Sequence, residues 1–515
     1  MNFKTKARTL YNLKLNSAVI PKLFFFKVIN YKKNKSKYIS IIQRKFNRNV
    51  AVRSSSGKED GSNMSLAGYF ESYLNVNVKS KEDLEQKINK VISSFRKKHS
   101  KKDEILIQEM VNNPIISGVA TTADKDTGAP YYSINYSTSE DTSSVTSGKK
   151  GSKNFVFYKF STKKPKDFFL KKIILLLKEL EKKFKSNYLD VEFIFNKNNK
   201  TNLVQVRPLI VKKKTKNNNI YSKSLEKLKK KVSKLQNKHH DLLGKTTAFG
   251  IMPDWNPAEI IGYKPKPLAM SLYQELITNH IWSEQRKNYG YRDVGSNHLM
   301  ANFFGTPFID IRVDFNSWLP KSLDDKLATK LVNFYINKFK KNKKFHDKVE
   351  FEVLFTCYTP SSEKKIKSEL KNKFKKSEIV KIINSLKQIN ILSFDNFLED
   401  IKKIEILKKK QREIEYSSMY HIDKIYWLVE DCKRYGTLPF AGLARNAFIA
   451  IDILNSLEKE KIISKEKVKN FMTQINTITS NIYNDSIKLQ KSDFLKVYGH
   501  LRPNTYEISS QNYRE

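Results

Sequence analysis

The sequence predicts a mixed α/β domain over residues 1–212 and a mainly α-helical domain over 245–515, joined by a Lys-rich linker at 213–244. Three observations carry this expectation. Residues 188–207 read as two alternating strands around a polar turn. Strand-like runs on the N-terminal side are interleaved with amphipathic helices at 80–95 and 166–184. Beyond residue 245, apolar residues recur mainly at helical spacing. At 515 residues the chain exceeds one ordinary domain, and a 39% hydrophobic share supplies packed cores and excludes a disordered composition.

The elements follow in order. Leu23 to Val28 reads as a strand, as does Val50 to Val52, which enters a polar turn at Arg53-Ser54-Ser55-Ser56-Gly57-Lys58-Glu59-Asp60. Backbone N–H groups in such a turn can form an anion nest, with serine hydroxyls as further donors and Arg53 as the charge; a polar surface loop is the alternative. Ser80 to Phe95 is an amphipathic helix with Leu84, Ile88, Val91, Ile92 and Phe95 on one side. Ser80 and Asp83 resemble a capping box, with Asp for the usual Glu or Gln. Ile105–Val111, Ser117–Thr122, Tyr131–Tyr136 and Asn154–Phe160 read as strands, with a turn at Asp124–Gly128 and a Ser/Thr/Gly-rich stretch at Ser137–Ser152. Lys166 to Phe184 is a helix with Leu170, Ile173, Ile174, Leu177 and Leu180 inward. In the second half the clearest helices are Leu268–Gln285, Lys326–Lys338, Glu363–Leu386, Asp395–Ile414, Phe440–Leu457 and Lys465–Leu489.

The hairpin at 188–207 carries the chemistry. Side chains two apart on a strand share a face, so Asp190 and Glu192 point one way, and Gln205 and Arg207 point one way on the neighbouring strand. Leu189, Val191, Phe193, Val204 and Val206 face the core in this reading. Two carboxylates beside a carboxamide and a guanidinium suit Mg²⁺ carrying a polyphosphate, since carboxylates take the hard cation and the Arg fork takes phosphate oxygens. A surface hairpin with ordinary salt bridges is the alternative.

The formal charge of +45 would normally point to nucleic acid or an anionic membrane. The excess is Lys spread along the whole chain, with Arg, the usual reader of bases and phosphates, sparse. Neither partner is expected. Cys357 and Cys432 lie far apart and lack metal-ligand spacing, so neither a disulfide framework nor a zinc site is expected, which suits a reducing cytoplasm. The basic N-terminus does not read as a signal peptide, and no stretch is expected to span a bilayer.

Several blocks occur in one order: Lys6 in KARTL, Arg53 in AVRSSSGKED, Ala67-Gly68 in SLAGYFESYLNV, Gln108-Glu109 in ILIQEMV, Gly118 in ISGVATTADKDTG, then DVEF and QVRPL. The series resembles the N-terminal ATP-grasp domain of phosphoenolpyruvate synthase and pyruvate phosphate dikinase, over about residues 4–210. The resemblance implies an ATP-grasp fold binding ATP and Mg²⁺. It implies that Lys6 and Arg53 hold the ATP phosphates, and that Gln108 and Glu109 lie on the strand near the adenine. It places Asp190, Glu192 and Gln205 around Mg²⁺ and the terminal phosphates, and Arg207 on the transferring group. Such chemistry is mostly positioning and charge neutralisation. Gly118 would allow close backbone approach, or serve a turn. Two departures stand out: Asn2-Phe3-Lys4-Thr5 replaces the family's Gly pair before the first Lys, and residues 137–148 replace its Gly-rich segment.

The second half resembles phosphoenolpyruvate-synthase-like proteins in GIMPDWNPAEIIG, PLAMSLYQELI, FIDIRVDFNSWLP, LPFAGLARNAFIAIDIL and YGHLRPNTYEIS. The last block also resembles the end of the substrate domain of rifampin phosphotransferases. The family sends the β-phosphoryl of ATP to a histidine and then to an acceptor, giving AMP and phosphate. None of the eight histidines stands in the family's Thr-Ser-His context, so a phosphohistidine domain is expected from another polypeptide or beyond this sequence. The other expectation is a non-catalytic ATP-binding or interaction protein. His500 and Arg502 are either acceptor-site residues or a structural cluster at a helix end. Arg445 binds an anion or forms a buried salt bridge; Trp255, Asn256 and Glu259 line a pocket or pack. The acceptor is not legible.

Overall fold

In this computed structural model the chain forms two units, Met1–Lys223 and Ser224–Glu515. Residues 1, 57–70, 96–102, 139–152, 213–217, 296 and 504 lie outside the residues described. The expected Ala67-Gly68 block, the end of the turn after Ser56 and most of the Ser/Thr/Gly-rich stretch fall there.

The first unit has two antiparallel sheets. Strands β1 (Leu23–Lys27), β2 (Val50–Ser55), β3 (Ser72–Val76) and β4 (Glu104–Glu109) form one in the order β1-β4-β2-β3. Strands β5 (Pro114–Thr121), β6 (Tyr131–Ser137), β7 (Lys153–Tyr158), β8 (Leu189–Asn196) and β9 (Thr201–Pro208) form the other in the order β7-β6-β5-β8-β9. Among the described residues, the helices wholly within this unit are α1 (Lys6–Asn12), α2 (Val28–Lys33), α3 (Lys35–Lys45), α4 (Lys81–Ser94) and α5 (Phe168–Phe184).

Each sheet has its own core. Val50, Val52, Ile105 and Ile107 pack with Ile39 and Ile42 of α3 and with the predicted face of α4, Leu84, Ile88, Val91 and Ile92. Val191, Phe193 and Ile134 pack with Leu170, Ile173, Ile174, Leu177 and Leu180 of α5, again the face expected from spacing. Full burial contributes about 1.5–3 kcal/mol per large apolar side chain. The α4 cap is half the expected box. Ser80 Oγ accepts the Asp83 N–H at 3.1 Å, but the Asp83 carboxylate takes the Asn77 N–H. Asp is one methylene shorter than the Glu that would reach back to its own cap.

Two expectations in this unit are corrected. The strand at Val50 does not turn at Arg53: β2 continues to Ser55, with Arg53, Ser54 and Ser55 opposite Leu106, Ile105 and Glu104. Ser54, Ser55 and Ser56 are buried, Ser55 Oγ accepting the Ala7 N–H at 3.0 Å and Ser56 Oγ donating to Asp103 at 2.7 Å. They tie α1 and the start of β4 to β2 and do not form an exposed anion nest. The second correction lies in β9. Glu192 pairs with Gln205 but Phe193 pairs with Leu203, so Val204 is the extra residue of a bulge. The bulge reverses the alternation, and Leu203 enters the core in place of Val204.

Gly118 sits within β5, opposite Phe193 of β8 and Tyr136 of β6. A Cβ there would lie 2.5 Å from the Asn135 carbonyl oxygen and 2.6 Å from the Phe193 ring, so close packing, not a turn, requires the glycine. Gly118→Ala is expected to destabilise the first unit by about 1–3 kcal/mol, and Phe193→Leu in the same chain to recover part of the loss. Denaturant unfolding followed by circular dichroism checks both.

Helix α6 (Asn218–Gln236) spans the boundary between the units. The second unit holds a small antiparallel sheet of β10 (Phe249–Gly250), β11 (Met300–Phe303) and β12 (Thr306–Asp310), in the order β10-β12-β11. Its helices are α7 (Pro257–Ile260), α8 (Pro267–Tyr273), α9 (Ile281–Asn288), α10 (Ile311–Ser317), α11 (Asp325–Lys341), α12 (Ser362–Leu370), α13 (Lys376–Glu415), α14 (His421–Asp431), α15 (Leu438–Lys459), α16 (Lys465–Gln474), α17 (Ile478–Lys488) and α18 (Lys491–Tyr498). π turns occupy Gln274–Thr278, Val349–Val353 and Cys432–Thr437. The fold class is therefore as expected, α/β followed by mainly α.

Boundaries differ where capping decides. The expected helix over Lys465–Leu489 splits at Thr477, whose Oγ accepts the Ser480 N–H at 3.1 Å and starts α17. The two helices expected at Glu363–Leu386 and Asp395–Ile414 become α12 and a 40-residue α13, because Glu378 accepts the Lys375 N–H and no Gly or Pro interrupts 376–415. The β11–β12 hairpin was not expected; Phe304 and Gly305 turn it with φ of 53° and 83°. The expectation that no stretch could cross a bilayer is also corrected. His421–Lys459, continuous through α14, its π turn and α15, is long and apolar enough by length and composition, with 33% of its apolar window buried. Core helices pass the same test.

Candidate active site

Beyond the Val204 bulge, the hairpin brings the four polar side chains into two facing pairs. Asp190 stands opposite Arg207, and Glu192 opposite Gln205. Arg207 donates from Nε to Asp190 Oδ2 at 2.9 Å, with Nη2 2.7 Å from the same oxygen. The four-stranded sheet supplies the next group. Arg53 of β2 donates through one nitrogen, Nη2, to Glu192 Oε2 and to Gln205 Oε1, both at 2.9 Å. Lys6 enters from the first turn of α1, where it is buried. That turn is held by the Thr5 hydroxyl and the Arg8 Nε, which donate to the two oxygens of Glu104 at 2.7 and 2.8 Å.

The electrostatics separate the two carboxylates. Burial pushes the Glu192 carboxyl up, but Arg53, then Lys6 and Arg207, outweigh it and hold it below its ordinary value. Burial also pushes Asp190 up; Arg207 opposes, the Glu192 charge adds to the rise, and the net direction is upward. At this site, two buried atoms have no hydrogen-bond partner among the described residues: Asp190 Oδ1 and Arg53 Nε. A buried acceptor and a buried donor left open are where a ligand completes a site. The donor set of two carboxylates and an amide oxygen fits a hard divalent cation, and the open Arg53 donor fits a phosphate oxygen.

The remaining candidates separate. Gln108 of β4 is buried, and its Nε2 donates to the Val204 carbonyl at 3.4 Å, satisfying the bulge beside Gln205. Glu109 ends β4, with its backbone N–H on the Lys22 carbonyl at 2.8 Å. Gly118 lies in β5, where its neighbour Val119 pairs with Glu192. Residues 139–148 of the altered loop lie outside the described residues.

In the second unit Arg445 is buried, donating to Tyr291 Oη at 3.1 Å and the Thr356 carbonyl at 3.0 Å, with Nη1 3.6 Å from Glu350. This is the buried ion-pair reading. Asn256 accepts the Glu259 N–H at 3.2 Å and caps α7. Arg502 donates to the Ser510 and Ile508 carbonyls at 2.8 and 3.0 Å, closing the C-terminal loop, while His500 is exposed. The sequence reading missed Arg286, which is buried between Asp254, Asp314 and Ser317 with its guanidinium 3.4 Å over the Trp318 ring. Asp314 and Trp318, four apart in FIDIRVDFNSWLP, were the available signal.

Residues 30–163 match the family described as the AMP/ATP-binding domain of pyruvate phosphate dikinase. The matched residues are thus similar to the nucleotide-binding domain of that family. Arg53, Gln108, Glu109 and Gly118 lie inside the matched residues; Lys6, Asp190, Glu192, Gln205 and Arg207 lie outside them. No curated protein matches the chain. Among solved structures, similarity extends to the VanG D-Ala:D-Ser ligase of Enterococcus faecalis, at 11% identity over 39% of this chain and 50% of that one, TM-score 0.24. An L-amino acid ligase of Bacillus licheniformis is 13% identical over 40% and 42% of the two chains, TM-score 0.24. An ATP-grasp ligase of Chryseobacterium gregarium, solved with ADP and leader and core peptide, is 13% identical over 37% and 47%, TM-score 0.22. The chain thus spans about half the length of the first of these structures. The matched stretch lies within the first unit and supports ATP binding there.

Proposed function

We propose that the chain is an ATP-dependent phosphotransferase of the dikinase type. It would pass the β-phosphoryl of Mg·ATP to a histidine on a separate domain, release AMP and phosphate, and serve an acceptor that is a small molecule, in the cytoplasm. The observation that carries this reading is the convergence of Lys6, Arg53 and Arg207 on the face bearing Asp190, Glu192 and Gln205. Three cations beside two carboxylates and an amide suit a polyphosphate that brings its own metal.

Asp190, Glu192 and Gln205 would hold Mg²⁺, which when bound neutralises charge on the phosphates. Arg53 would orient a phosphate oxygen through its open Nε while Nη2 holds Glu192 and Gln205 in place. Lys6 keeps positive charge beside the Glu192 carboxylate. Arg207 would steady the transferring group, having first held Asp190 on the same face. Gln108 fixes the bulge and so the direction in which Gln205 points.

A second reading, a non-catalytic ATP-binding protein, is favoured by one observation: both carboxylates already have arginine partners, an arrangement that is stable without turnover. Calorimetric titration of the full chain with ATP, with and without Mg²⁺, tests the site. Binding is expected to require Mg²⁺ and to weaken at least about tenfold in Glu192→Gln, a change that keeps the side chain's shape and removes its charge. Mg²⁺-independent binding, or equal affinity in the variant, would overturn the metal assignment. AMP formation when a phosphohistidine domain is added separates the two readings.

A further inference from the structure

The second unit contains a cavity of about 270 Å³ that none of the preceding assignments uses. Its walls are the π turn Val349–Val353, the segment leading into α12, and the C-terminal half of α15. Glu350, Thr356, Ser361, Lys365, Asp452 and Lys459 line it. Its size suits one small metabolite, and its lining mixes carboxylates, hydroxyls and ammonium groups.

Several of these groups are held in place. Arg445 anchors the wall behind Glu350 through Tyr291 and the Thr356 carbonyl. Glu350 Oε2 is buried, 3.6 Å from Arg445 Nη1, and has no hydrogen-bond partner. Ser456 donates to Ser361 Oγ at 2.8 Å and accepts the Ser361 N–H at 2.7 Å, joining α15 to the mouth of α12. Lys365 donates to the Phe351 carbonyl at 2.7 Å, which draws its ammonium over the π turn. A π turn costs regular hydrogen bonding and is often placed where a side chain must be re-aimed; here it carries Glu350 into the cavity.

We infer that this cavity binds a small hydroxyl-bearing acceptor, with Glu350 on the hydroxyl and Lys365 and Lys459 on the phosphoryl group delivered to it. The inference rests on the phosphotransfer reading above. In the step, the acceptor oxygen forms the new O–P bond and the P–N bond of the phosphohistidine breaks. The bonding pair stays on the imidazole nitrogen, which takes up a proton; the hydroxyl proton passes to Glu350 and then to water. Glu350 is poised for this. Burial and the charges of Asp254 and Asp452 push its carboxyl up, Arg445 and Arg286 oppose, and the result is about 7. Burial, then the Lys338 charge and more weakly that of Lys459, push the Lys365 ammonium down, with Glu369 and Glu352 opposing.

The experiment is calorimetric titration of the full chain with glycerol 3-phosphate, a probe carrying both hydroxyl and phosphoryl groups, alongside glycerol and inorganic phosphate. Glycerol 3-phosphate is expected to bind, and more tightly than either fragment. Lys365→Met is expected to weaken it at least about tenfold. Glu350→Gln is expected to erase its advantage over inorganic phosphate, together with a pH dependence centred near 7 in the parent. All four tryptophans lie in the second unit, so unchanged fluorescence shows that each variant is folded. Absence of glycerol 3-phosphate binding by the parent, or equal binding by folded variants, would overturn the inference. The ATP titration is read separately. ATP binding without glycerol 3-phosphate binding removes the pocket alone; the reverse removes the phosphotransfer reading and leaves a polar ligand site.

Discussion

Arg53→Met is expected to weaken ATP binding by at least about 100-fold, close to 2.8 kcal/mol. One nitrogen of this guanidinium ties Glu192 and Gln205 together, and a second, Nε, is buried without a partner. The variant therefore loses the positioning of two metal-side groups and a phosphate donor at once. The first unit should also lose about 2–3 kcal/mol of stability. That is less than for a fully buried pair, since Glu192 is 24% exposed and keeps the field of Lys6. Arg53→Lys separates the two roles. The three donors of an ammonium radiate from one nitrogen, so it can hold Glu192 but cannot also reach the position of Nε; stability should largely return while ATP affinity stays about tenfold down.

The pH dependence has a defined sign. The folded Glu192 carboxyl lies below its ordinary value of 4.5, so the pair's stabilisation is present above that value and fades as pH falls through the folded one. The parent and Arg53→Met should thus converge in stability at acid pH and differ most near neutrality. A constant difference across this range would mean that packing, not charge, holds Arg53. Denaturant titrations at several pH values, followed by circular dichroism, measure it.

The second large effect is expected in the other unit. Arg286→Met should destabilise it by about 3–5 kcal/mol. Arg286 is buried, pairs with Asp254 and with Asp314 Oδ1 at 3.3 Å, donates to Ser317, and lies 3.4 Å over the Trp318 ring. Removing it leaves two buried carboxyl groups side by side. Burial, and then the neighbouring Asp254 charge, already push Asp314 well above the ordinary carboxylate range. Adding Asp254→Asn to Arg286→Met removes that repulsion and should recover about 1–2 kcal/mol. Because every tryptophan belongs to this unit, its unfolding can be followed by fluorescence without the first unit contributing. No recovery in the double variant would show that ring stacking, not ion pairing, dominates the loss.

Much of the first unit was legible from local chemistry. Period-two alternation located β8 and β9, and helical spacing located the buried faces of α4 and α5, because a side chain's direction follows from its position in a regular element. The alternation showed that Asp190 and Glu192 share one face of β8 and Gln205 and Arg207 one face of β9, but the register that sets them against each other depends on the one-residue shift at Val204. What lay beyond reach depended on neighbours distant in sequence. The bulge at Val204 exchanges it with Leu203 because Phe193 and the Gln108 amide fix that stretch. The serines after Arg53 look like turn residues, yet they pair across to β4 and are buried against α1.

The sequence by itself determined most strands and the two long helices α4 and α5 of the first unit, though not α1, α2, α3 or β3, together with the α/β-then-α division of the fold and the identity of the charged residues that share its hairpin. Only the tertiary structure decided which of them meet. Arg53 reaches Glu192 across 139 residues of chain, and Arg445 reaches Tyr291 across 154. Periodicity reports which way a side chain leaves its own element. It carries no information about what stands opposite, and the desolvation and pairing that set each group's charge depend on that alone.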